Sequence, residues 1–308
     1  MAQGTLTVAT CQFPTSSTIG DNLAYVLEQM RTAKARGADV AHFPEACLSG
    51  YAGIDMPSHE GFDWPRLTQA LLDVLALAGR LRLWVALGSA HRLTAPHKPH
   101  NSLYIIDDTG RFVDRYDKRF CSGDASCETG DLAHYSPGDH FSVFEINGVR
   151  CGALICVDCR YPELYRKYKR LGVVLVFHSF HSGHVDQEDF ASREAMVGSE
   201  NFRFNPSTTL PGITQPAMMH AAAGSNHVWI SCPNSSAPRS CWPSSFVRPD
   251  GVVTGRLELH EAGVLISRVD ATAQFYDSAA AWRERAMDGV LYSGSLVRDA
   301  RSDDRTNI

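Results

Sequence analysis

The chain has 308 residues, of which 44% are hydrophobic and 20% are charged, a composition typical of a globular protein with a sizeable core. Its formal net charge of -5 and pI of about 6.2 argue against a nucleic-acid or anionic-membrane partner. No apolar stretch approaches the roughly 20 residues of a membrane helix, and the N-terminus lacks the basic segment of a signal peptide. The nine scattered cysteines, mostly in apolar contexts, favour reduced thiols and a cytoplasmic location.

Strand and helix patterns alternate along the chain. Residues 5–13 alternate in polarity and predict a strand, and 21–37 predict a helix that begins at Asp21 and ends at Gly37. The further predicted strands are 38–45, 83–89, 102–107, 111–118, a hairpin over 141–156 that turns at Asn147-Gly148, 173–179, 228–234, a strand-turn-strand over 244–253, and 263–270. The further predicted helices are 65–80, 162–170 and 218–227. This alternation predicts a mixed α/β sheet covered by helices.

Two segments, 119–140 and 180–216, are rich in Gly, Ser, Asp, Pro and His and are predicted to be irregular. Loops of this length in a compact domain tend to be lids or binding loops. We expect one domain over 1–270. The polar segment 271–308 is expected to be a C-terminal extension, either frayed or laid against a partner subunit.

Three predicted strands end at a reactive side chain: Glu45, Lys118 and Cys156. Each has an ordinary explanation on its own, as a turn carboxylate, a surface lysine and a buried thiol, and free cysteine is among the most buried residue types. Strand ends are also where α/β folds place their chemistry, because the sheet fixes positions while the loops open a crevice.

Taken together, the segments around these residues resemble the nitrilase superfamily of carbon–nitrogen hydrolases. The resemblance spans roughly residues 5–270, and its most specific part is "GALICVDCRYPELY" at 152–165. The other segments that carry it are "FPEACLSGY" at 43–51, "RYDK" at 115–118, "YSPGDHFSVFEINGVRC" at 135–151 and "NHVWISCPN" at 226–234. The resemblance implies a four-layer α-β-β-α sandwich, a homodimer or larger homo-oligomer, and a Glu-Lys-Cys triad that needs neither metal nor organic cofactor.

The same resemblance assigns roles to the three residues. Glu45 is the expected general base, and Cys156 the nucleophile that forms a thioester with a small-molecule amide or ureido substrate. Lys118 and the backbone N–H of Val157 are expected to stabilise the oxyanion. Cys159 is expected to be a bystander.

Many members of the superfamily carry a second carboxylate between the lysine and the cysteine. Glu128 has the usual side chain and is the preferred candidate, while Asp131 has the more usual distance to the "PG" at 137–138. The choice between Glu128 and Asp131 stays open at this stage.

The remaining candidates concern substrate and metal binding. His178 and Phe180 are expected to contact the substrate, and Arg160 either binds a substrate carboxylate or forms a structural salt bridge. His178, His181 and His184 could ligate zinc, but no HExxH pattern or cysteine pairing supports a metal site, so none is expected.

Four functions compete. The pattern Cys156-Val157-Asp158 resembles amidases and carbamoylases, which favours hydrolysis of a small carboxamide or N-carbamoyl compound. The alternatives are a nitrilase, a catalytically silent binding protein of the same fold, and a zinc hydrolase.

Overall fold

The computed structural model describes residues 4–181, 187–238 and 240–306, and within these ranges twelve strands form two six-stranded sheets. The strands are β1 Thr5–Gln12, β2 Val40–His42, β3 Trp84–His91, β4 His100–Ile106, β5 Phe112–Asp117, β6 Val143–Ile146, β7 Val149–Ile155, β8 Leu175–Ser179, β9 Trp229–Cys232, β10 Ser245–Val247, β11 Val253–Arg256 and β12 Gly263–Asp270. The helices are α1 Ile19–Ala35, α2 Trp64–Leu81, α3 Pro162–Arg170, α4 Gln187–Val197, α5 Leu210–Asn226, α6 Arg283–Met287 and α7 Ala300–Asp303. Short 3₁₀ turns span Gly130–Ala133, Cys156–Arg160 and Ser199–Phe204.

The two sheets follow the same plan. Sheet one has the order β12-β1-β2-β3-β4-β5 and sheet two the order β11-β10-β9-β8-β7-β6. In each, the three central strands are parallel and the outer ones antiparallel. Parallel neighbours need crossover connections, which α1 and α2 provide in sheet one, and α3 and α5 in sheet two.

Side-chain alternation in sheet one shows how the layers stack. Ala9 and Val85 pack in one cluster with α1 and α2. Their strand neighbours Val8 and Ala86 pack in a second cluster with sheet two, α3 and α5. Successive strand residues point to opposite faces, so sheet one lies between its helices and sheet two. The predicted four-layer α-β-β-α sandwich is confirmed.

Several local predictions are confirmed and two are wrong. The hairpin turns at Asn147 and Gly148, both with positive φ (50° and 78°), as a type I′ turn requires. Helix α1 begins at Ile19 with Thr18 as its N-cap, so Asp21 lies in the first turn rather than at the cap. The segment 180–216 is not irregular throughout, because it contains α4 and the start of α5.

The missed start of α5 has a simple cause. Pro211 and Gly212 in its first turn weaken the helical pattern in the sequence. A proline in the first turn removes no intrahelical hydrogen bond, and the Thr209 side chain accepts a hydrogen bond from the Gly212 N–H, which caps the helix.

The chain divides into the units Met1–Phe275 and Tyr276–Ile308, close to the predicted boundary at 270. The second unit contains α6 and α7 and exposes four large apolar side chains to at least 71% of their surface: Tyr276, Leu291, Leu296 and Val297. Its role as an oligomer arm or a frayed tail stays a prediction. Among the described helices, none combines the length and the apolar character needed to cross a bilayer.

Candidate active site

The three reactive residues follow the carboxyl ends of three strands from two sheets. Glu45 comes three residues after β2 and Lys118 directly after β5, both in sheet one, while Cys156 directly follows β7 in sheet two. The Glu45 loop lies tightly against β3 at Gly88, where an added Cβ would come within 2.1 Å of the Pro44 carbonyl oxygen. The loop can therefore approach the strand only because this residue has no side chain.

A buried charge cluster joins Lys118 to two carboxylates. Its Nζ lies 2.7 Å from Glu45 Oε1 and 2.7 Å from Asp131 Oδ2, and 3.3 Å from the Tyr51 hydroxyl. Burial alone would lower the pKa of Lys118, but the neighbouring Glu45 and Asp131 carboxylates outweigh it and raise that pKa. Lys118 is therefore held as a cation, the state that stabilises an oxyanion.

Glu45 accepts hydrogen bonds on both oxygens. Oε1 accepts from Lys118 and from the Asn101 side chain at 2.8 Å, and Oε2 accepts from the backbone N–H of His181 at 3.0 Å. The residue is fully buried. Three donors fix the carboxylate in one orientation, so a proton acceptor stands at a defined place.

The second carboxylate at Lys118 is Asp131, and the preference for Glu128 is wrong. Glu128 is exposed, in a turn where its N–H donates to Ser126, whereas Asp131 is buried and also accepts from the Tyr51 hydroxyl and the Ser122 N–H. Burial raises the pKa of Asp131, but the Lys118 charge and these hydrogen bonds outweigh it, and the net shift is downward. Its distance to the "PG" at 137–138 was the informative signal, and the side-chain type misled.

Cys156 occupies a strained turn between β7 and α3. Its φ is +45°, which costs a residue other than glycine roughly 1–2 kcal/mol, while Ile155 before it is extended. The Asp158 carboxylate holds this turn by accepting hydrogen bonds from the Ile155 N–H (3.0 Å), the Tyr116 hydroxyl (2.8 Å) and the Phe120 N–H (3.0 Å). Asp158 thus links the Cys156 turn to β5 and to the residues that follow Lys118.

The surroundings of the Cys156 thiol favour its neutral form. Burial and the Glu45 carboxylate raise its pKa well above the usual range, and the Lys118 cation opposes this only in part. The residue as a whole is half-buried. A neutral thiol needs a base to take its proton when it attacks, and a carboxylate such as that of Glu45 can act as this general base.

The neighbours of Cys156 have distinct positions. Cys159 is buried and its Sγ lies 3.7 Å from Met218 Sδ, so its thiol packs in the core. Val157 is half-buried directly after Cys156. Arg160 is exposed and forms no ion pair with any residue that the structure describes, which removes the support for a salt bridge there.

His178 and Phe180 have partners inside the protein, contrary to the expected substrate contacts. His178 Nε2 lies 3.1 Å from the Cys156 carbonyl oxygen and Nδ1 lies 2.6 Å from the Tyr165 hydroxyl, so neither ring nitrogen is left for a substrate. Phe180 is fully buried between the His178 ring (4.4 Å between centroids) and the Trp242 ring (4.7 Å).

A second buried pair lies beside Glu45. The His181 ring pairs with Asp55 at 3.2 Å and contacts the Tyr51 ring at 5.3 Å between centroids. Burial would lower the pKa of His181, but Asp55 outweighs it and raises that pKa. The sequence reasoning left Tyr51, Asn101 and Asp55 without a role. Only Tyr51 had a signal, because it ends the quoted segment at 43–51.

The zinc hypothesis gains no support from the described residues. They contain no group of three or more His, Cys, Asp or Glu side chains arranged to hold a metal ion. Both ring nitrogens of His178 are engaged by protein groups, and His184 lies outside the described residues.

The sequence also matches the model of a known protein family. The model of the carbon–nitrogen hydrolase family matches residues 7–277, and the chain belongs to this family.

Individual relatives are more distant. The chain is 25% identical over 241 residues to "Hydrolase in pqqF 5'region" of Pseudomonas protegens, a match that covers 75% of this chain and 72% of the relative. It is 29% identical over 152 residues to the 2-oxoglutaramate amidase of Bacillus subtilis, covering 47% of this chain and 53% of that protein. Several other curated relatives are matched over 48–60% of their own length.

Solved structures of an amidase from Nesterenkonia sp. share the fold. One superposes with a TM-score of 0.70 at 19% identity and covers 94% of this chain and 98% of that chain. Another, at a TM-score of 0.68 and 19% identity over 87% of this chain and 91% of that chain, is a variant with the acetamide moiety of fluoroacetamide added covalently to the active-site cysteine.

Proposed function

We propose that this protein is an amidase-type hydrolase that cleaves a C–N bond of a small carboxamide or N-carbamoyl compound through a thioester on Cys156. The observation that carries the proposal is the buried Glu45-Lys118-Asp131 cluster, with 2.7 Å contacts from Lys118 to both carboxylates, whose charges act on the thiol of a strained cysteine. The amidase relatives and the adduct on the Nesterenkonia enzyme support the same chemistry.

The first half-reaction forms the acyl-enzyme. Glu45 takes the thiol proton while the Cys156 sulfur bonds to the carbonyl carbon, and the carbonyl π electrons move to oxygen. Lys118 and the Val157 N–H stabilise that oxyanion. When it collapses, the C–N bond breaks, the nitrogen takes the proton from Glu45, and ammonia leaves.

The second half-reaction releases the product. Glu45 takes a proton from water, and the hydroxide oxygen bonds to the thioester carbon to give a second tetrahedral intermediate. Its collapse breaks the C–S bond and returns the proton to sulfur. Asp131 acts throughout by holding Lys118 in place and charged, because it accepts from Nζ opposite Glu45.

The test is ammonia release from a panel of carboxamides, N-carbamoyl amino acids and nitriles, with Cys156→Ala as the blank. We expect ammonia from carboxamides or N-carbamoyl compounds, none from the variant, and an unchanged melting temperature. Ammonia from nitriles alone would establish a nitrilase instead. Turnover by the variant would refute Cys156 as the nucleophile. No ammonia from any class, and no acyl adduct on Cys156 by mass spectrometry, would leave a silent binding protein.

Two further properties belong to the proposal. A cytoplasmic location is supported by the nine scattered cysteines, an odd number that lie mostly in apolar contexts. Assembly into a homo-oligomer is supported by the exposed apolar side chains of the unit Tyr276–Ile308, which are typical of a segment that packs against another chain.

A further inference from the structure

The carboxyl end of β8 contacts both the nucleophile's turn and the proposed base. The Phe180 carbonyl accepts a hydrogen bond from the Glu45 N–H at 3.2 Å, and the His181 N–H donates to Glu45 Oε2 at 3.0 Å. Two residues earlier, the His178 ring lies 3.1 Å from the Cys156 carbonyl oxygen. One short segment, 178–181, therefore bridges a residue from sheet one and a residue from sheet two.

The hydrogen bonds of His178 define its tautomer. A carbonyl oxygen only accepts, so Nε2 carries the proton and donates it to Cys156. Nδ1 is then an acceptor, and it takes the Tyr165 hydroxyl proton at 2.6 Å. Burial lowers the pKa of His178 to about 3, so the ring is neutral and stays in this tautomer across the working range of pH.

The ring has little freedom to move. It is fully buried and stacked on Phe180 at 4.4 Å with an interplanar angle of 9°. Tyr165 belongs to α3, the helix that follows the nucleophile's turn, so the Tyr165–His178–Cys156 chain runs from that helix through β8 and back to the turn. This closed path restrains a Cys156 backbone that is held at a φ of +45°.

We propose that His178, oriented by Tyr165, is a positioning residue that holds the Cys156 backbone in its strained conformation and so sets the thiol against Glu45. This inference rests on the proposed function, for which it adds residues that touch neither the substrate nor the reacting atoms. His178 acts through the Cys156 carbonyl oxygen and Tyr165 acts through His178.

The experiment compares substitutions that remove one hydrogen bond at a time. His178→Leu removes the donor to Cys156, and His178→Gln keeps an N–H at a similar reach. Tyr165→Phe removes only the hydroxyl that orients the ring. Tyr168→Phe is the matched control, because its buried hydroxyl, on the same helix, donates to the Ala153 carbonyl oxygen at 2.6 Å rather than toward the site.

Two assays are run on each folded variant. Steady-state kinetics give kcat and KM for the best substrate, and mass spectrometry at Cys156 gives the rate at which iodoacetamide alkylates that residue. We expect His178→Leu to lower both kcat and the alkylation rate by about 10–100-fold with KM little changed, because small displacements of a reacting group cost this much. Tyr165→Phe should lower them by about 3–10-fold. His178→Gln and Tyr168→Phe should stay near the unsubstituted protein.

Either of two results would overturn the proposal. One is a folded His178→Leu or Tyr165→Phe variant with unchanged kcat and alkylation rate. The other is equal impairment in His178→Gln and His178→Leu, or in Tyr168→Phe and Tyr165→Phe, which a merely structural role would produce. Should His178→Leu fail to fold, the Gln and Phe variants decide. Alkylation needs no substrate, so a failure of the proposed amide hydrolysis would appear separately, as absent turnover in the unsubstituted protein.

Discussion

The two sheets contribute to the site in different ways. Sheet one supplies charged side chains: Glu45 and Lys118 are fully buried and form an ion pair. Sheet two supplies the proposed nucleophile, the neutral thiol of Cys156, on a backbone in a sparsely populated conformation to which the neutral His178 ring is hydrogen-bonded. Charged groups are thus positioned by mutual attraction, and the thiol is positioned by its main chain.

This difference follows from what each group can do when buried. A buried charge is stable only when it has a partner, so the Glu45 and Asp131 carboxylates both depend on the Lys118 cation. A thiol is a weak hydrogen-bonding group, so its own side chain cannot fix its position. The backbone must do so, and the hydrogen bonds from His178 and to Asp158 act there.

We expect the greatest loss of function from a substitution in the charged cluster of sheet one. Lys118→Met removes the cation and leaves two buried carboxylates, so we expect at least about a 10³-fold loss of ammonia release and a loss of about 3–5 kcal/mol in the free energy of unfolding. Urea unfolding measures the second. The exposed lysine on α3 gives a control, Lys167→Met, which should change neither. A Lys118→Met variant with normal stability would contradict the buried ion cluster.

The next prediction distinguishes the two candidate carboxylates, Asp131 and Glu128. Asp131→Asn should lower kcat by about 10²-fold, because it weakens the hold on Lys118 without changing shape. Glu128→Gln, in the exposed turn of the same loop, should leave kcat unchanged. Steady-state kinetics of both variants decide the matter, and a deeper loss in Glu128→Gln would reverse the assignment made from the 2.7 Å contact.

A smaller effect is expected at Asp158, whose carboxyl group holds the Cys156 turn. Burial raises the pKa of Asp158 from 3.8 to about 6 despite its three hydrogen bonds. Between pH 3.8 and about 6 the Asp158 carboxyl is protonated in the folded protein and ionised in the unfolded chain. The stabilisation that this retained proton gives is complete below about pH 4 and is lost as the pH rises through about 6. The free energy of unfolding falls by about 3 kcal/mol over this range.

The measurement compares the unsubstituted protein with Asp158→Asn by urea unfolding between pH 4 and 7. The free energy of unfolding of the unsubstituted protein should fall relative to that of the variant as the pH rises, because the amide of the variant cannot titrate. A difference that stays constant over this range would show that the Asp158 carboxyl is not perturbed.

The smallest effect is expected for Cys159, the buried thiol three residues after Cys156. Cys159→Ser places a hydroxyl in the contact with Met218, and we expect kcat within about twofold and a stability loss of about 1 kcal/mol. Ammonia release and thermal unfolding check both. Activity as low as that of Cys156→Ala would reopen the choice of nucleophile.

Local sequence signals were enough for most of the elements. Helix α3 spans the predicted 162–170, and the Asn147-Gly148 turn lies where it was predicted. Both depend on neighbours in the chain, a proline at a helix start and two residues that tolerate positive φ. The α4 and α5 residues within 180–216 were missed because the segment is rich in Gly, Ser, Asp, Pro and His, and because Pro211 and Gly212 lie in the first turn of α5.

The site divides in the same way. The order of Glu45, Lys118 and Cys156 at three strand ends could be predicted from the sequence, because strand ends and short motifs are local features. That Asp131 rather than Glu128 reaches Lys118, and that His178 is hydrogen-bonded to the Cys156 backbone, is seen only in the folded protein. Those contacts join residues that are 13 and 22 positions apart through a loop and a strand–helix–strand crossover. No residue type encodes such a contact: the fold of the loop after β5 brings Asp131 to Lys118, and the parallel pairing of β7 with β8 brings His178 to Cys156.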